Sequence, residues 1–190
     1  IWNSLSTNLK LSDYNLAKIR KTNMKNTIVI AADFINEIVD AKGAFGAYNA
    51  ERESSMQTMQ NANKLIAWAR KHDVLIAHVK VGFSADYGEC PRNSPLFGKA
   101  AEYKVLQLGT WATQFHPTMD VQDSDLVITK HRVSMVYATK LETILRANNI
   151  ENIVLCGVST DNVIETSVRE LHDRDYNVTV IADACNASSE

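Results

Sequence analysis

A chain of 190 residues is long enough for one domain with a sizeable core, and 45% hydrophobic with 22% charged residues is the balance of a folded protein, not of a disordered or membrane-spanning one. A formal net charge of −2 with no long basic run excludes the electrostatic footprint of a nucleic-acid binder, which leaves small molecules or protein partners. Cys90, Cys156 and Cys185 show no CxxC spacing, which excludes a disulfide framework and a cysteine zinc site and fits a reducing cytoplasm.

Residues 1–23 mix Ser, Asn, Lys and Leu without the apolar core of a signal peptide. They are expected to be an extension, with a short helix from Leu11 to Arg20, ahead of a single domain over 24–190. Thr27 to Ala32 is an unbroken apolar run that does not alternate, so it predicts a strand buried on both faces, as in a parallel sheet. Asp33 ends it, and Phe34 to Val39 lead to a loop around Gly43 and Gly46. Met56, Met59, Asn63, Ile66 and Ala67, with Leu65 and Trp68 nearby, predict a helix from Glu53 to His72 whose Met and Trp side chains pack in the core. Val74 to Val81 reads as the second strand. From Gly82 to Gln122 prolines and aromatics break every period, which predicts a long insertion with one short helix at Phe97 to Glu102, suited to cover a substrate.

Asp125 to Lys130 is the third strand, and Thr139 caps a helix with Leu141, Ile144 and Leu145 on its apolar face. Ile153 to Cys156 is the fourth strand, ending at Gly157, and Ile164, Val168 and Leu171 mark the helix after it. Asn177 to Ala182 is the fifth, followed by Asp183. Ser188, Ser189 and Glu190 read as an N-cap and acidic first turn, so a last C-terminal helix is expected to be missing from 24–190. Strands alternating with helices predict an α/β fold, a three-layer α/β/α sandwich with a mainly parallel, Rossmann-like sheet.

In this register Asp33, Lys130 and the turn from Gly157 to Val163 all fall at the carboxyl ends of parallel strands, the edge where open α/β sheets place their sites. Free backbone N–H groups and the positive end of a helix dipole meet in that turn, which suits it to a developing negative charge. On residues alone Asp33 is either a working carboxylate or a cap for the following loop, and Lys130 is either its partner or part of a basic edge with His131 and Arg132. The five histidines show no short ligand spacing, so a helix-surface or loop role is expected for each and no metal is expected. No phosphate-cradling glycine loop or GxSxG elbow is present.

Several stretches in this order and spacing resemble the isochorismatase-like hydrolase superfamily, also called cysteine hydrolases. They are Val29 to Glu37 around Asp33, Ile128 to Ser134 around Lys130 with Thr139 and Leu141 beyond, and Gly157-Val158-Ser159-Thr160 with Glu165 and Ser167. Val79 to Asp86, Leu108 to Phe115 and Ala182 to Cys185 look like the same family, so the resemblance runs from Met24 to the C-terminus. It implies a triad of Asp, Lys and Cys, with Asp33 as general acid/base and Lys130 as its cationic partner. It also implies a non-proline cis peptide at Val158-Ser159, where Val158, Ser159 and Thr160 form an oxyanion-holding turn, and a substrate pocket that includes Phe34, Trp111 and Tyr137. Members of the family commonly form dimers or larger homo-oligomers, so a homo-oligomer acting on a small molecule, with no nucleic acid and no membrane, is expected here.

The departure is at the nucleophile, because the third residue after Thr160 is Val163, which cannot attack anything. Cys156 lies before the turn, inside a strand; Cys185 ends another strand and Cys90 sits in the insertion. The metal-binding Asp and His pair of nicotinamidases is also missing, since that place reads Lys80-Val81-Gly82-Phe83. The resemblance to isochorismatases, which lack the cysteine, implies a cofactor-independent hydrolase in which Asp33 protonates the substrate and water completes the cleavage. The alternative is a pseudoenzyme that kept the pocket to bind a small molecule or partner chain.

Overall fold

Strand β2 (Thr27–Ala32) is buried along its whole length, and the rest of the domain is arranged around it. The computed structural model describes residues 7–11, 24–46 and 53–187. In chain order the regular elements are β1 (Thr7–Leu9), β2, α1 (Asn36–Val39), α2 (Glu53–Lys71), β3 (Leu75–Val81), α3 (Ala100–Tyr103), β4 (Leu126–Lys130), α4 (Leu141–Ala147), β5 (Asn152–Val158), α5 (Glu165–His172) and β6 (Asn177–Asn186). They form one six-stranded sheet in the order β1-β6-β5-β2-β3-β4, and every pair in it is parallel. Among the described residues no helix is long and apolar enough to cross a membrane.

The non-alternating run in β2 has a direct structural meaning. Ile28, Ile30 and Ala32 enter a cluster with Leu141 and Leu145 of α4 and Val168 and Leu171 of α5. Val29 and Ala31 enter the opposite cluster with Met59, Leu65, Ile66 and Trp68 of α2. Successive strand residues point to opposite faces, so a strand covered by helices on both sides must be apolar throughout. On α2 the buried stripe is Met59, Ala62, Leu65, Ile66 and Ala69. Met56 and Ala67, expected on that stripe, face solvent, because the helix turns them away from the sheet.

Three features depart from the sequence expectation. Thr7–Leu9, in the segment expected to be an extension, pairs in register with Thr179 to Ile181 of β6 as an edge strand; residues 12–23 and 188–190, with most of the expected first helix and the terminal cap, lie outside the described residues. Strand β6 runs on past Ala182 to Asn186 through an irregularity, since Leu155 pairs with Val180 but Gly157 already pairs with Cys185. Asp183 is therefore inside the strand, where its carboxylate accepts the Leu11 N–H at 2.7 Å. Strand β5 likewise continues through Gly157 to Val158. Gly157 lies against Ala32, with φ at +148°, and a Cβ there would come within 2.4 Å of the Ala32 carbonyl oxygen, so close approach of the two strands requires glycine.

After β2 the chain steps outward to β3 and β4, then returns across the sheet to β5 and β6 on the other side. The strand order thus reverses between β2 and β5, and the carboxyl end of that gap is the crevice where open α/β sheets bind ligands.

Candidate active site

Asp33 is the first residue beyond β2. Its N–H donates to the Val79 carbonyl at 2.8 Å, and its φ of +60° turns the chain sharply out of the strand, a conformation that Asp tolerates better than most residues. The side chain is 3% exposed and its Oδ2 lies 2.9 Å from Lys130 Nζ, the last residue of β4. Lys130 is equally buried, and its ammonium also donates to the Arg132 carbonyl at 3.0 Å. Burial pushes the Asp33 carboxyl above its ordinary range; the charge and hydrogen bond of Lys130, and more weakly the Val81 amide, pull it down without restoring it. Asp33 Oδ1 is buried without a hydrogen bond, so one oxygen of the carboxyl is tied to the ammonium and the other is uncommitted.

The third contribution comes from the end of β5. The Val158-Ser159 peptide bond is cis. Ser159 precedes a wide π turn over Thr160–Ile164, which runs directly into α5. Asn162 Nδ2 donates to Ser159 Oγ at 2.9 Å and fixes the polar side of this turn. The segment after β4 is pinned separately. His131 Nδ1 is 2.6 Å from the Gly82 carbonyl, Ser134 Oγ bonds the Glu170 carboxylate of α5, and the Leu141 N–H donates to Thr139 Oγ1, although the N-cap of α4 is Lys140 and not Thr139 as expected.

These pieces surround a cavity of about 240 Å³. Asp33, Lys130, Val158, Ser159 and Val163 all line it, so the chain's main strand-end residues converge as the topology requires. The remaining lining comes from Ile38, Phe45, Val81, Val133 and Asn162, and from Leu96, Phe97 and Leu106 of the insertion. Val81 could have been found from sequence, because it closes β3 and pairs with Lys130. Ile38 sits on the one-turn helix α1 and Asn162 in the turn before α5, while Phe45, Leu96, Phe97, Leu106 and Val133 sit on irregular segments that carry no periodic signal.

Phe34, Trp111 and Tyr137 do not line this cavity. Phe34 is the residue after the sharp turn and points into the core under α2. Trp111 is 43% exposed and holds Asn36 Nδ2 through its carbonyl at 2.9 Å. Tyr137 is 59% exposed on the segment after β4, in a surface groove with Arg146 and Arg174. His78 also departs from its expected surface role. It is buried in β3 with Nε2 3.2 Å from Asp125, which Arg70 of α2 grips with both terminal nitrogens. Burial there keeps the imidazole below its ordinary range despite the carboxylate.

Neither Cys156 nor Cys185 offers a thiolate. Cys156 is completely buried in β5, which pushes its thiol well above the ordinary value, and burial pushes Cys185 up to about 12. Cys90 is buried in the insertion and donates to the Phe97 carbonyl at 3.1 Å. Position 163 is different, because it lines the cavity with Lys130 at the entry to α5. A Val163→Cys thiol is expected to ionise below the free value of about 8.5, as read from the pH dependence of its alkylation. A value at or above that of a free thiol would mean that the turn does not present this position to the ammonium.

A parallel sheet with a buried carboxylate–ammonium pair beneath a cis turn at its switch point defines an isochorismatase-like hydrolase. The isochorismatase domain model matches residues 27–190, and the chain belongs to the isochorismatase family. It is 33% identical over 171 residues to the uncharacterized isochorismatase family protein YecD of Escherichia coli O157:H7, covering 88% of this chain and 83% of YecD. It is 25% identical to the ureidoacrylate amidohydrolase RutB of Methylorubrum extorquens (strain ATCC 14718 / DSM 1338 / JCM 2805 / NCIMB 9133 / AM1), over 83% of this chain and 68% of RutB. Among solved structures, a cysteine hydrolase from Pseudomonas syringae pv. phaseolicola 1448A superimposes with a TM-score of 0.79 at 25% identity, over 87% of this chain and 74% of that one.

Proposed function

We propose that this chain hydrolyses a small metabolite by acid–base chemistry of Asp33 and Lys130, with neither a cofactor nor a covalent thiol intermediate. The observation that carries the reading is the buried pair itself. An ammonium 2.9 Å from a carboxyl that burial holds above its ordinary range makes a proton donor whose conjugate base is stabilised as it forms. Val163 supports the same reading, since it puts an apolar side chain where the resemblance places the sulfur.

On an enol ether, Asp33 delivers its proton to the terminal vinyl carbon, and Lys130 holds the carboxylate left behind. Water adds to the resulting oxocarbenium carbon, the hemiketal collapses to an alcohol and a carbonyl product, and the proton released returns to Asp33. The turn at Ser159 lines the same cavity, and its amides are assigned the role of holding an oxygen that gains negative charge. The amidohydrolase activity in the name of RutB makes small carboxamides and carbamoyl compounds the other substrates to try.

A panel of small enol ethers, carboxamides and carbamoyl compounds tests the proposal. Turnover of at least one is expected, falling as pH rises through the Asp33 pKa, because the acid form is the working one. No turnover across the panel would favour the alternative of a pseudoenzyme that binds a small molecule or partner chain in this pocket.

A further inference from the structure

Beyond Asp33, Lys130, Ser159 and Asn162 the cavity is lined by apolar side chains. Phe45, Leu96, Phe97 and Leu106 contribute to its lining, with Val133 and Val163. Part of this wall is built before any ligand arrives. Phe97 and Leu106 belong to a third hydrophobic cluster inside the insertion, where Phe97 packs edge-on to Phe83 with ring centroids 5.6 Å apart. Backbone bonds fasten the same cluster, including Phe83 N–H to the Leu106 carbonyl at 2.8 Å. A pocket whose walls are packed core does not rearrange to admit polar groups.

The charge inventory points the same way. Among the described residues Lys130 is the only cation that lines the cavity, and its ammonium already serves Asp33 and the Arg132 carbonyl. The nearest basic neighbours face elsewhere, with His131 on the Gly82 carbonyl and Arg132 on the carbonyls of Glu89 and His131. Ser159 and Asn162 add neutral hydrogen-bonding groups only. A carboxylate entering this space finds no cation beyond Lys130, whose donors already serve Asp33 and the Arg132 carbonyl, so it must be desolvated against apolar walls, which is costly.

We infer that the ligand of this cavity is an uncharged amphiphile. Its aromatic or branched-aliphatic body lies on the Phe45, Leu96, Phe97 and Leu106 wall, and its one neutral carbonyl or ether group lies at Asp33 and Lys130. Since a dry cavity of about 150 Å³ takes benzene, the 240 Å³ here suits about ten non-hydrogen atoms. Placing the polar group at Asp33 rests on the acid–base reading above; the preference for a neutral ligand is read by binding alone.

Calorimetric titration with phenylacetamide and phenylacetate, which share shape and differ in charge, tests this. Near neutral pH the amide is expected to bind about tenfold or more tightly than the carboxylate. Leu96 is 45% exposed, so Leu96→Lys adds a cation to the lining without disturbing the core, and it is expected to raise phenylacetate affinity and narrow the gap. Equal or tighter binding of phenylacetate by the wild type, no binding of either probe, or a Leu96→Lys variant that leaves both affinities unchanged would each overturn the inference. Tight amide binding without hydrolysis of any substrate would remove the hydrolase reading and leave this one standing. Hydrolysis confined to carboxylates would do the reverse.

Discussion

Replacing Asp33 by Asn is expected to lower turnover by about 10²- to 10⁴-fold, the usual contribution of a positioned general acid, while leaving the fold intact. The amide has the shape of the carboxyl and can still accept the hydrogen bond that Lys130 Nζ now makes to Oδ2 at 2.9 Å. What it lacks is a proton to give. Because the wild-type carboxyl is held above its ordinary range by burial, wild-type activity should persist to higher pH than a surface Asp would allow, and the residual activity of the variant should lose that dependence. Steady-state rates across pH, with circular dichroism as the control for folding, check both points. Activity that survives the substitution would mean that the proton comes from elsewhere.

The second large effect is on stability. Lys130→Met is expected to cost about 3–5 kcal/mol, because removing one member of a buried pair leaves the other charged and unpartnered; both side chains here are at most 5% exposed. The pH dependence follows from linkage. Lys130 is the chief influence holding the Asp33 pKa down against burial, so without it that pKa climbs further above its unfolded value. A carboxyl with a raised folded pKa binds its proton more tightly in the folded state. The variant therefore keeps its stability below the unfolded pKa of about 3.9 and loses it as pH rises towards the folded value. The deficit relative to wild type should be small in acid and full at neutral pH. Urea denaturation across that range measures it, and a deficit independent of pH would show that the loss is packing and not charge.

Much of this geometry was legible in the chain. Thr27 to Ala32 reads as a doubly buried strand because helices on both faces leave no position for a polar residue, and once β2, β4 and β5 are placed, Asp33, Lys130 and Ser159 must share an edge. The illegible parts have physical reasons. Thr7–Leu9 has only three residues and no apolar pattern; it is a strand because the edge of β6 pairs with it. His78 looked like a surface histidine because its partners Asp125 and Arg70 come from other elements. The pocket aromatics failed for a related cause. Sequence shows that the insertion is rich in aromatic residues, but whether Phe97 or Trp111 faces the cavity depends on loop packing, and the structure turns Phe97 inward and Trp111 out.

The central claim is that hydrolysis here needs the Asp33–Lys130 pair and no sulfur. Substrate turnover before and after exhaustive treatment with iodoacetamide tests it most directly, since Cys90 and Cys156 are buried and none of the three cysteines lines the cavity. The expected result is turnover that alkylation leaves unchanged. Turnover abolished by labelling of a single cysteine would contradict it.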